Sequence, residues 1–178
     1  RPPRSTLFPY TTLFRSPLFG RFKNVKNYIA LAARKQSGFY EKCGYYGARL
    51  MIKAQQAGLN SCWVTNTYNA KKCPVSLAPD EELAGVIAIG YGASDGTPHK
   101  SKSMERLCKP CSEAWFINGM NAAVLAPTGL NRQNFLIEAD GNTVSICTKD
   151  NSPISQINTG IVKYHFEIGA GRENFNWE

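Results

Sequence analysis

The chain has 178 residues, 43% of them hydrophobic, with 21 Lys and Arg against 13 Asp and Glu for a formal net charge of +8. That length supports one domain with a sizeable core, and no apolar run approaches the ~20 residues with which a helix crosses a bilayer. Lys and Arg are dispersed and no RNA or DNA motif stands out, so neither nucleic acid nor membrane is expected as a partner.

The first sixteen residues, RPPRSTLFPYTTLFRS, are basic, lack an acidic residue and carry Leu7, Phe8, Leu13 and Phe14 at no clean period. They suit a targeting peptide or a basic arm better than a secretory signal, because no apolar run of ~7 residues follows the arginines. Written as codons in one unbroken frame, all sixteen resemble a sequencing-library adapter. Residues 1–16 are therefore expected to be non-native, and residues 17–178 to form a single domain that starts in mid-sequence. Without the three arginines of that stretch, 18 Lys and Arg face 13 Asp and Glu, and the net charge falls to +5. Such an excess fits solubility or an anionic cofactor as readily as nucleic acid.

From Pro17 onward, Val25–Ala33 is an apolar run of strand length. Glu41–Ala57 reads as a helix in which Tyr46, Leu50 and Ala54 form one buried stripe and Gly58 supplies the stop. Gly44 and Gly47 sit near its beginning, where glycine is unusual unless another backbone or a flat ligand comes close. Ser61–Val64 reads as a short strand and Leu83–Tyr91 as a fully buried one, being apolar without alternation. Residues 92–103 form a polar loop bearing His99, Lys100 and Lys102. Ser112 suits the N-cap of a helix through Ala126, which Pro127 and Gly129 end, with Phe116, Met120, Ala123 and Val124 on one face. Asn134–Ala139 and Thr143–Thr148 flank Asp140-Gly141, a strong hairpin signal. Thr159–Gly169 is a last amphipathic helix, capped by Asn158 and stopped near Gly171. Helices and strands interleave around a hairpin, so the expected class is α+β with a mixed sheet flanked by helices.

Six cysteines, Cys43, Cys62, Cys73, Cys108, Cys111 and Cys147, occur with no export signal, which points to reduced thiols and a cytoplasmic setting. Only Cys108-Lys109-Pro110-Cys111 has a suggestive spacing. A structural zinc site needs a second such pair, so the pair reads as two unrelated thiols and no metal is expected. His165 falls within a helix and reads as a satisfied, partly buried histidine, and Trp63, Trp115 and Tyr91 as core or ring-lining aromatics.

Three stretches carry more specific information: GYYGARLMIKAQQAGLNSCWV (44–64), EELAGVIAIGYGASDGTPHKSKS (81–103) and AAVLAPTGLNRQNF (122–135). A glycine-bearing helix ending in Gly-Leu, an apolar strand ending in Gly-Tyr and a Lys-x-Lys, in this order, resemble the flavin-dependent nitroreductases. APTGLNRQ resembles that family's Ala-Pro-Ser-x-x-Asn-x-Gln element, with Thr128 in place of Ser. Together with the closing IVKYHFEIGAG, the chain is most similar to the subgroup in which this element comes late.

The resemblance implies a nitroreductase-like fold, incomplete at the N-terminus, and FMN as cofactor. Lys100 and Lys102 would face its phosphate as compact charges, although a solvated basic loop explains them equally. Pro127, Thr128, Asn131 and Gln133 would offer a rigid turn, a hydroxyl and two carboxamides to flavin N and O atoms, or serve simply to end a helix. Asn60, Ser61 and Cys62 correspond to the segment beside the flavin face. No general acid or base is singled out, because the cofactor carries the redox chemistry. The Arg-x-Ser-x-Arg element with which nitroreductases usually open is absent after residue 16; Arg4-Ser5 and Arg15-Ser16 imitate it by accident. Loss of one charge-assisted contact typically costs about 1.5–3 kcal/mol, so FMN affinity should fall roughly ten- to a hundredfold.

The implied activity is an NADH- or NADPH-dependent flavin oxidoreductase acting on nitroaromatics, quinones or similar small acceptors. Two rivals stand beside it: a flavin-binding module without turnover, and a basic RNA-associated domain whose binding would be strongly salt-dependent. Nitroreductases usually complete each flavin site across a homodimer interface, whereas the late APTGLNRQ would let one chain supply that part.

Overall fold

Asn27–Arg34 (β1), Glu81–Gly90 (β3) and Asn60–Val64 (β2) form an antiparallel sheet in the order β1-β3-β2. The central place of β3 follows from its sequence: Leu83 to Ile89 is apolar without alternation, and Val86 and Ile87 are fully buried on opposite faces of the strand. Ala30 and Val64 both pair with Val86, and Trp63 pairs with Ile87. A bulge between Leu31 and Ala32 shifts the β1 register, and the end of β1 is tied down by the Arg34–Asp80 ion pair and by Lys35 N–H donating to the Asp80 carbonyl. Val64, Cys73, Val86 and Ala88 make the core of this part, with Tyr28, Tyr68, Val75 and Leu83 packed against it.

These strands belong to the first of two compact units, drawn from the chain up to Lys35 and from Met51–Asp95; the second comprises Gln36–Leu50 and Gly96–Glu178. The computed structural model describes residues 25, 27–65, 68–92 and 99–178, so the expectation for residues 1–16 lies outside the described residues.

The second unit holds the other sheet, Phe135–Asp140 (β4), Thr143–Thr148 (β5) and Asn176–Trp177 (β6), in the order β4-β5-β6. The expected mixture of strand directions resides here, since β4 and β5 are antiparallel while β5 and β6 are parallel. The hairpin forms, but its turn is Gly141-Asn142 rather than Asp140-Gly141: Asp140 pairs with Thr143 as the last strand residue. Gly141 adopts φ +55, a backbone region closed to most residues but open to glycine.

Helix α1 (Phe39–Gln56) begins two residues before the expected start and ends before Gly58, which adopts φ +74. Its residues through Leu50 belong to the second unit, and there the buried face is not the expected one. Tyr46 and Leu50 are exposed, whereas Phe39, Cys43, Gly44, Gly47 and Ala48 are buried. The reason is the close backbone approach that Gly44 hinted at. A Cβ on Gly44 would stand 2.0 Å from the Ile157 carbonyl oxygen, and one on Gly160 would stand 1.9 Å from that of Glu41. Both Ile157 and Gly160 lie on helix α3 (Pro153–Ala170).

Helix α2 (Ala114–Ala123) is preceded by Glu113 at the capping position; Ser112 is not the N-cap, and no side chain caps this end. Helix α3 starts six residues before the expected Thr159, with Pro153 in its first turn and the Ser152 side chain accepting from Ser155 N–H. Gly171, at φ +76, ends it as expected. Helices α2 and α3 cross at small residues too, Gly119 facing the Phe166 ring and Gly169 the Asn118 carbonyl. Around this crossing Trp115 stacks on Phe175 (5.6 Å, 3° between planes), and Phe116, Phe175 and Trp177 surround Phe166. Offset and edge-to-face ring pairs of this kind add roughly 0.5–1.5 kcal/mol each beyond the area they bury.

Candidate functional site

The turn after α2 is built against the 100–102 segment by one glutamine. Gln133 is 3% exposed, and burial of a carboxamide is tolerated only if its donors and acceptor are matched. Its Oε1 accepts from Lys102 N–H at 2.8 Å. Its Nε2 donates to the Lys100 carbonyl and to Asn131 Oδ1, both at 2.8 Å. Gln133 N–H donates to Thr128 Oγ1 at 3.0 Å, and Asn131 Nδ2 donates to the Lys100 carbonyl at 2.8 Å. The Lys102 ammonium donates to the carbonyl oxygens of Arg132 and Gln133, and Ser101 Oγ donates to that of Val124 at 2.8 Å.

Lys100, Lys102, Thr128, Asn131 and Gln133, read from the sequence as candidates, are thus brought together. What the sequence did not reveal is that they bind one another. The amide of Gln133 is wholly engaged within the protein, and Lys102 places its charge on a pair of carbonyls. The Lys100 ammonium is exposed, and the Thr128 hydroxyl, which accepts from Gln133, still has a proton to donate.

Pro127 opens the turn, and Gly129 N–H is held by Asn158 Oδ1 at 2.9 Å. Asn158, expected to cap α3, therefore caps the 3-10 turn Gly129–Asn131 instead. Leu130, Asn131 and Gln133 adopt φ of 53, 53 and 47. Three non-glycine residues in the left-handed region within four positions store strain, which tends to collect at binding and catalytic sites. Leu130 is 64% exposed at the apex; only its apolar character between Gly and Asn could have drawn attention to it.

The remaining three candidates lie in the first unit, on β2. Asn60 Oδ1 accepts from Gly92 N–H at 2.7 Å, joining the strand start to the residues after β3. Ser61 is half-buried and Cys62 exposed. Next to them the Trp63 indole N–H is buried with no hydrogen-bond partner among the described residues, a donor whose desolvation is uncompensated within the chain.

Other titratable groups are accounted for locally. His165 Nδ1 donates to the Ile161 carbonyl at 2.8 Å, and burial lowers the pKa of its ring. Cys108 is buried with its thiol on the Met104 carbonyl, and burial pushes that thiol up. All six cysteines are free thiols. Among the described residues no cluster of three or more His, Cys, Asp or Glu side chains could hold a metal, and no helix is long and apolar enough to cross a membrane.

No curated protein matches the chain. Among solved structures it is similar to a putative nitroreductase from Thermotoga maritima, with TM-score 0.64 and 19% sequence identity over 83% of this chain and 61% of that one. The chain thus spans about three-fifths of the length of that structure, and the likeness establishes a nitroreductase-like α+β fold. A family model described as "Putative TM nitroreductase" matches residues 14–170, and the chain belongs to that nitroreductase family.

Proposed function

We propose that the protein is an FMN-dependent oxidoreductase that carries two electrons from NADH or NADPH to a nitroaromatic, quinone or similar small acceptor. Family membership supports the oxidoreductase class. The observation that carries the flavin reading is the strained turn at Leu130, Asn131 and Gln133, locked to the Lys100–Lys102 segment by a buried glutamine. Strain of this kind persists only where the surrounding contacts over-determine it. The donor set suits FMN: the Lys100 ammonium for an anionic phosphate, the Thr128 hydroxyl and Asn131 for polar flavin atoms, and the Leu130 side chain for an apolar ring. Bound FMN would supply the two-electron chemistry. The contribution of the chain is to hold Lys100, Thr128 and Asn131 in place before binding, which lowers the ordering cost of association.

Gln133 and Lys102 also fix the turn: the Gln133 amide is paired within the protein, while the Lys102 ammonium gives two of its three N–H donors to carbonyls and keeps one for a phosphate.

The experiment is a titration of the protein with FMN followed by visible absorbance and quenching of flavin fluorescence, then anaerobic addition of NADH or NADPH. The expected result is a bound flavin spectrum that bleaches with one nicotinamide and recovers when a quinone is added. A protein that acquires no flavin absorbance refutes the proposal; flavin that binds but is bleached by neither nicotinamide marks a binding module without turnover.

A further inference from the structure

Asn158 lies in the second turn of α3 and accepts a hydrogen bond from Gly129 N–H, 29 positions away, at 2.9 Å. Nothing in α3 itself calls for asparagine at this position: inside a helix Asn is a poorer former than Ala, because its short amide competes for backbone groups. Nor does the Gly129 N–H need it as a partner, since Gly129 is exposed and water can take the place of the carboxamide. The hydrogen bond therefore does little for the satisfaction of polar atoms, and its effect is on shape.

Gly129 opens the turn in which Leu130 and Asn131 both stand at φ 53, a region that a Leu side chain disfavours. Thr128, at the capping position of this turn, makes no side-chain cap; its hydroxyl accepts from Gln133 N–H instead. The first N–H of the turn is thus held from α3 and not locally. Ile154, one turn earlier on α3, backs the same place, for a Cβ built on Gly129 would stand 3.3 Å from its Cγ2. Gln133 ties the far end of the turn to the 100–102 segment, and Asn158 ties the near end to α3. Strained backbone persists where contacts of this kind over-determine it. We propose that Asn158 is a positioning residue for the flavin, holding Leu130 and Asn131 in the left-handed conformation in which they meet the cofactor; this rests on the flavin reading of the turn given above. By ordering the turn in advance, Asn158 spares the association that cost.

Nuclear magnetic resonance of the full chain, alone and titrated with FMN, tests the role. In the absence of flavin, the Cα and Cβ shifts of Leu130 and Asn131 report their φ. Asn158→Ala should move these shifts towards random-coil values and speed exchange of the Gly129 amide roughly tenfold. Asn158→Asp, which keeps an oxygen acceptor on the same framework, should retain the parental values. FMN should bind Asn158→Ala about two- to tenfold more weakly, the range for one lost hydrogen bond, and Asn158→Asp should restore the affinity; riboflavin, which has no phosphate, removes any effect of the charge that Asn158→Asp adds. The urea midpoint of Asn158→Ala should match the parent, because the gain in helix propensity offsets the lost bond, and a loss of affinity without a loss of stability is what a merely structural role does not produce. Parental shifts in Asn158→Ala, a released turn with unchanged FMN affinity, or Asn158→Asp as impaired as Asn158→Ala towards riboflavin overturns the positioning role and leaves the flavin reading standing. A parent chain that binds no FMN overturns both.

Discussion

Gln133 and Lys100, 33 positions apart, are joined by a side-chain N–H donated to a main-chain carbonyl at 2.8 Å, while the other end of the same carboxamide accepts from Lys102 N–H. One buried amide thereby fixes two of the three segments that carry the candidate flavin residues, 100–102 and 127–133. Replacing it exposes the consequences separately for stability and for binding. Gln133→Ala leaves the Lys102 N–H and Asn131 Oδ1 without their side-chain partner and should cost about 2 kcal/mol or more. Urea unfolding should show this as a lower midpoint at unchanged slope, and FMN affinity should fall in the same variant. A midpoint within error of the parent would show that the lock contributes nothing.

The α1–α3 crossing makes a sharper demand. A methyl group on Gly160 would meet the Glu41 carbonyl at 1.9 Å, and one on Gly44 would meet the Ile157 carbonyl at 2.0 Å. Neither backbone atom can rotate away, so Gly160→Ala and Gly44→Ala should each destabilise by about 1–3 kcal/mol as the helices part. Because both substitutions widen one crossing, the double variant should lose less than the total of the two. Additive losses in thermal or urea unfolding would argue that the two contacts are independent.

Alkaline stability should depend on Tyr45. Burial, reinforced by its hydrogen bond to Glu167, pushes this phenol from 10 up to about 12. The folded state therefore holds the proton more tightly than the unfolded state. Its stabilising contribution is complete below pH 10 and is lost as the pH rises from 10 to about 12. Tyr45→Phe should flatten the stability profile in that window. Phenolate absorbance in a pH titration should also lose one late-titrating group, and an unchanged titration curve would contradict the assignment.

Asp150 governs the acid side. Hydrogen bonds from the Ser152 and Ser155 side chains and from the Ser152 backbone hold its carboxyl at about 2, below the usual 3.8. Its contribution is thus present above pH 3.8 and is lost as the pH falls to about 2. Asp150→Asn should remove that part of the acid dependence and fray the first turn of α3, which chemical denaturation between pH 2 and 5 measures. Retention of the parental acid slope would exclude a role for this carboxylate.

Much of the fold was legible because it rests on local rules. The unbroken apolar run of β3 announced a strand buried on both faces, Gly141 announced a hairpin, and Gly58 and Gly171 marked helix ends by their tolerance of positive φ. The start of α3 was missed because Asn151-Ser152-Pro153 carries turn residues, which are also the residues of an N-cap and a first helical turn. Strand β6 is two residues long and pairs in parallel with β5, a relationship with no local pattern to betray it. The candidate site divides in the same way. Lys100, Thr128, Asn131 and Gln133 could be picked out by residue type and order, but not the network in which they satisfy one another.

The sequence by itself determined most of the helices, strands and turns, β6 and the start of α3 excepted, because periodicity, capping and glycine conformation act within a few residues. Only the tertiary structure decided which face of α1 is buried and which polar atoms of the site remain for a ligand. The approach of α3 to Gly44 left Tyr46 and Leu50 exposed, and the folding of the 100–102 segment onto the 128–133 turn engaged Gln133 and Lys102. Both outcomes depend on partners far away in the chain: steric exclusion and hydrogen-bond saturation are properties of the assembled neighbourhood and not of any single segment.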